Sequence, residues 1–137
     1  MRIALATLCE DARFRDDGRL DLVGVAPDEV QLPQLPWEGS LVLALVLELS
    51  PDDDRKATGM NVAVIRAEDG SIVGEVDPKS AKQPREVPTG VDGPVHLPFR
   101  LSLDVHFEHP GLHRVLVRDS SGQPLTDVAF AVRATEG

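Results

Sequence analysis

The sequence predicts an all-β protein, an antiparallel sandwich of seven or eight strands. Short runs rich in Val, Leu and Ile recur along the chain, several with apolar residues at alternate positions. Eleven Gly and 11 Pro punctuate these runs at turn spacings typical of a sandwich. The length, 137 residues with 42% apolar content, suits one domain over residues 1–137 with a core that needs no disulfide or metal to fold.

In order, residues 2–8 form a first strand that can extend to Phe14. Asp16-Asp17-Gly18 supplies a tight turn into residues 19–25, where Leu20 and Leu22 share one face and Asp21, Val23 and Val25 the other. Residues 27–39 read as irregular, since Pro33 and Pro36 cannot donate to a ladder, with Val30 and Leu32 as a short edge strand before them. Residues 41–49 are apolar on both faces up to Glu48, which places them centrally in a sheet or covers them on both sides. A strand is preferred there to a helix because Ser50-Pro51 ends the run sharply. Residues 59–67 alternate, with Met60, Val62 and Val64 on one face, and Glu68-Asp69-Gly70 turns the chain into residues 71–76. Residues 77–94 are the longest loop. Residues 95–107 are extended and broken or bent at Pro98, followed by strands at 112–118 and 124–133 joined by Asp119-Ser120-Ser121-Gly122. The order of hairpins and one long crossover is compatible with a Greek-key or immunoglobulin-like topology.

Charge excludes several classes. The formal net charge is -9, and the closest basic cluster is Lys79, Lys82 and Arg85 in a loop. Nucleic-acid phosphates and anionic membranes are therefore not expected partners. The longest apolar run, residues 41–47, is far below the ~20 residues of a membrane helix. The N-terminal run meets Glu10 and Asp11 with no small-x-small cleavage site, so it reads as a strand and not a leader. Cys9 is alone; no internal disulfide is possible, and a reducing cytoplasm is the expected compartment.

Pro110-Gly111-Leu112-His113, followed by alternating residues to Asp119, resembles the penultimate strand of immunoglobulin-like sandwiches. Those domains place a Tyr in the slot of His113, and its hydroxyl ties the turn to the backbone. This chain has no Tyr, and imidazole can donate in its place. Cys9-Glu10-Asp11-Ala12 with Asp17-Gly18-Arg19-Leu20-Asp21-Leu22-Val23-Gly24 resembles an uncharacterised bacterial family of small β-sandwich domains. The proline-containing segment and Leu-rich strand of residues 33–49 and the C-terminal hairpin of residues 110–122 extend that resemblance over most of the chain. Its motifs are turns and core positions, so it implies a fold and transfers no catalytic residue.

Candidate chemistry is sparse. His106, His109 and His113 form a polar cluster with Asp104 and Glu108 nearby, but Pro110 and Gly111 break the helical spacing a metal site would use. With His96 they could converge only across a sheet. Cys9 lacks a hydrolase signature and reads as a buried structural thiol. Asp52-Asp53-Asp54, with Asp92 or Asp104, matches no calcium loop. Trp37 reads as a plug over an open end of the sandwich or, with Pro33 and Pro36, as a partner surface. No catalytic residue, cofactor site or metal site is expected. The expected function is a non-enzymatic module that binds a protein partner or itself through residues 27–39, residues 77–94 or an edge strand. The alternatives are a structural subunit of a larger, phage-like assembly and a small metal-dependent enzyme using the cluster between His96 and His113.

Overall fold

The structure, a computed structural model, describes residues 1–25, 28–53, 59–77 and 86–135. Asp54, Lys79, Lys82, Arg85 and the centre of the long loop lie outside the described residues. The described residues form ten strands: β1 (Arg2–Phe14), β2 (Leu20–Val25), β3 (Glu29–Leu32), β4 (Trp37–Leu49), β5 (Met60–Arg66), β6 (Ile72–Val76), β7 (Val87–Pro88), β8 (Val95–Phe107), β9 (Gly111–Asp119) and β10 (Pro124–Ala134). No helix of the described residues is long and apolar enough to cross a membrane.

The all-β, mostly antiparallel character follows the sequence. The strand count and the layering do not. Ten strands replace the seven or eight expected, partly because β3 is a true edge strand and β7 is a two-residue pairing inside the long loop. Instead of two separate sheets, one curled sheet runs β2-β1-β4-β8-β6-β5-β9-β10-β3, with β7 beside β8. The reason lies in β6, which hydrogen-bonds to β5 on one side and to β8 on the other. Gly74 sits at that junction, opposite both Val64 and Val105. A Cβ there would lie 2.5 Å from Val105 Cγ1 and 2.8 Å from the Asp104 carbonyl oxygen, so only glycine lets the strands close. Among the described residues one pairing is parallel, that of β3 with β10.

The concave face carries the core. Leu43, Leu45 and Leu103 are fully buried with Val64, Val115, Val117, Phe107 and Val132. β4 lies between β1 and β8, which explains its apolar run. It begins at Trp37, earlier than the irregular segment of residues 27–39 implies, and pairs with β8 from Trp37↔Phe107 to Leu49↔Val95. Aspartates close the turns as the sequence suggests. Asp17 accepts from the Arg19 amide at 3.0 Å, Asp69 from Ser71 at 3.0 Å, and Asp119 from Ser121 and Gln123, each at 2.9 Å. The Ser71 and Ser121 hydroxyls, which also donate to Asp69 and Asp119, and the Arg19 amide at Asp17 are the main causes that hold these three carboxyls below their ordinary range.

Candidate functional site

The site arises from a fork in the sheet. β1 pairs with β4 from Arg2↔Glu48 to Cys9↔Val42. From Cys9 onward its pairing passes to β2, ending at Phe14↔Leu20. Residues 37–41 of β4 keep their β8 partners, but among the described residues no strand pairs with them on the β1 side. Arg100 holds the fork open. It sits opposite Ala44 on β8 and reaches across β4 to β1. Its Nη2 donates to Asp11 Oδ1 at 2.9 Å and its Nε to the Ala12 carbonyl at 3.0 Å. The Arg100 hydrogen bond holds the Asp11 carboxyl below its ordinary range.

β3 faces this fork. It pairs with β10 on one side and, among the described residues, with no strand on the other. Between them lies an open cleft of about 500 Å³. Leu8, Cys9 and Glu10 of β1, Gly24 of β2, all four residues of β3, and Trp37, Ser40, Leu41 and Val42 of β4 line it. Both side-chain parities contribute from β1, β3 and β4. In a pleated strand that means the backbone edges themselves face the opening. Leu8 and Leu32, both buried, give it an apolar floor.

Trp37 walls one side from within. Its indole stacks on Phe107 at 6.3 Å and lies over Gly39, where a Cβ would come within 2.5 Å of the ring. Trp37 thus packs against the core as a plug while one part of it lines the cleft. Pro33 and Pro36 are exposed beside it. Glu10 owes its position to Gly24, which has φ +63 and no side chain; a Cβ there would fall 2.4 Å from Glu10 Cδ. Of residues 27–39, Glu29 to Leu32 and Trp37 line the cleft; the sequence pattern does not single out Glu10 and Gly24 for it. The available signal was the glycine inside the β2 pattern, which marks a close approach.

The histidines divide. His106, His109 and His113 line one shallow pocket with Arg66, Asp69 and Glu108. His96 sits beside Glu48 at 3.2 Å, ten residues back along β8 from His106 and so roughly 30 Å away. Among the described residues, no group of three or more His, Cys, Asp or Glu is arranged to hold a metal ion. Of the acidic candidates, Asp53 accepts from the Met1 amino group at 2.7 Å and Asp104 from Ser40 Oγ at 3.2 Å.

His113 lies near the start of β9. It is buried, edge-on to Phe107 at 5.0 Å and stacked on Phe130 at 5.8 Å. Its Nδ1 lies 2.9 Å from the Gly111 carbonyl oxygen. A carbonyl can only accept, so Nδ1 carries the proton and the imidazole ties the turn to the backbone. Burial pushes its pKa below the ordinary value, and nearby Arg66 acts in the same direction against the Gly111 hydrogen bond. The unfolded chain therefore takes up this proton first. Stability from His113 is complete above about pH 6.5 and is lost as pH falls towards the folded-state value. Unfolding free energies from urea titrations between pH 7.5 and 5.5 should fall with pH, by no more than about 1.4 kcal/mol per pH unit, the ceiling for one proton. His113→Tyr should flatten the profile in that window; an unchanged slope would refute the assignment.

Cys9 is buried, with Sγ 3.9 Å from the Val42 carbonyl. Burial, reinforced by Asp11, pushes its pKa up, so the thiol stays protonated at neutral pH. Iodoacetamide at pH 7 should label the folded chain at a small fraction of the rate seen in urea. Equal rates would show an accessible thiolate.

No protein-family model matches this chain, and searches of curated proteins and of solved structures find no match.

Proposed function

We propose that this chain is a non-enzymatic interaction module that binds a protein partner as an extended segment along the seam between β3 and the β1–β4 fork. One observation carries the reading: two backbone edges, Glu29–Leu32 and residues 37–41, flank one apolar-floored cleft without a strand between them. Unpaired edges template strand addition, in which main-chain hydrogen bonds give affinity and side-chain pockets give selectivity. The slot is four to five residues long, about 13–17 Å at strand rise. An immunoglobulin-like reading of the two halves of the sheet supports the same use, since sandwiches expose their edge strands. A buried, protonated Cys9 suits a reducing cytoplasm.

The test is selection of seven-residue peptides from a display library on the purified protein, followed by amide shift mapping. Selected peptides should shift amides of Glu29–Leu32 and residues 37–41. Failure to select, or shifts confined to other strands, would overturn the reading. A subunit of a larger assembly is the second reading, favoured by Val23 and Val25, exposed together on edge strand β2. Light scattering at rising concentration separates the two, because only the subunit reading predicts growth without added peptide.

A further inference from the structure

We propose that the segment accepted at the seam carries a lysine or arginine beside its apolar residues, recognised by Glu10. This rests on the strand-accepting reading above and names the partner's chemistry. Among the described residues, the polar side chains lining the cleft include Glu10, Glu29, Gln31 and Ser40, and no Lys or Arg lines it. Glu29 is already engaged, accepting from Gln31 Nε2 at 3.1 Å and pairing with Arg133 at 3.5 Å. Glu10 is different. It is exposed at the lip of the cleft, draped over Gly24, and makes no ion pair among the described residues.

Its carboxylate thus stands beside free strand edges and an apolar floor, with its charge unmatched. An acidic segment placed there would meet Glu10 and Glu29 at close range, where like charges oppose binding. A second copy of this chain is disfavoured for the same reason, since each copy carries a net charge of -9. A neutral segment would gain the main-chain bonds and the apolar contacts alone. A cationic segment gains these and an ion pair at the rim, which sets selectivity more than affinity.

The test uses fluorescently labelled, acetyl-capped six-residue peptides of alternating Val and Thr, with Lys, Gln or Glu scanned through each position. Binding to the full chain is followed by anisotropy. At the best position, Lys peptides should bind more tightly than Gln peptides by up to about fivefold, the upper end for an exposed ion pair. Glu peptides should be the weakest. Glu10→Gln should abolish the Lys preference, Glu10→Lys should reverse it, and 0.5 M salt should shrink it. Both variants alter an exposed side chain, and unchanged melting curves will show that the fold is intact. Equal binding of Lys, Gln and Glu peptides would overturn the cationic preference while leaving the seam in place. A Lys preference that survives Glu10→Gln would overturn the role of Glu10. Absence of binding by every peptide would overturn the seam reading and this inference with it.

Discussion

Replacing Phe107 with alanine is expected to lower the unfolding free energy by about 3–5 kcal/mol. Phe107 is fully buried at the end of β8, where it meets His113 edge-on at 5.0 Å, Phe130 edge-on at 6.2 Å and Trp37 in a stack at 6.3 Å. Three rings converge on it from β4, β9 and β10. They cannot all move in to fill the space, because His113 is anchored to Gly111 and Trp37 lies on Gly39. The residual cavity therefore adds to the lost transfer energy. Against a typical domain stability of about 5–15 kcal/mol, the change is severe. Trp37 is the only tryptophan, so its fluorescence reports the urea transition directly. The emission of folded F107A should also shift to longer wavelength as water reaches the indole. A loss below 1 kcal/mol would show that the aromatic end of the core can collapse.

Gly74→Val is expected to be of similar severity for the opposite reason. Here the site has no room. The new Cβ would overlap Val105 Cγ1 and the Asp104 carbonyl oxygen, and the second of these is backbone that cannot rotate aside. Overpacking of this kind costs about 1–3 kcal/mol and at times more. A β-branched residue would ordinarily favour a strand, so a loss here separates the steric effect from propensity. Gly74→Ala should also destabilise, although alanine normally gains about 0.5–1 kcal/mol over glycine within a strand. Unfolding midpoints of both variants check this, and a stabilised Gly74→Ala would contradict the close approach of β6 to β8.

Local pattern made most strands legible. The alternation of Met60, Val62 and Val64 and of Val128, Phe130 and Val132 marks their buried faces, and Asp-containing turns separate the hairpins. The single sheet was not legible, because it depends on β6 bridging β5 and β8. That bridge turns on Gly74 facing Val105, 31 positions away in sequence. The parallel docking of β3 on β10 is likewise a long-range choice that leaves no mark in the four residues Glu29–Leu32. Of the site, Pro33 and Pro36 suggested an irregular setting for Trp37, whereas it begins β4 and stacks on Phe107, a contact 70 positions away in sequence. The fork was not legible either, since the bend of β1 away from β4 is held by Arg100 gripping Asp11, 89 positions away in sequence. His96 stays far from the other three histidines because β8 pairs with β4 in one continuous ladder from Val95 to Phe107, unbroken at Pro98.

Amide hydrogen exchange on the full chain, with and without a saturating seam-selected peptide, decides whether the seam accepts a strand. Fast exchange is expected in the free protein for the outward amides of Glu29–Leu32 and of residues 37–41, and protection of both sets on binding. Amides of β5 and β9, already paired on both sides, should not change. Peptide binding that protects another surface, or that leaves both seam edges exchanging as in the free chain, would contradict strand acceptance at the seam.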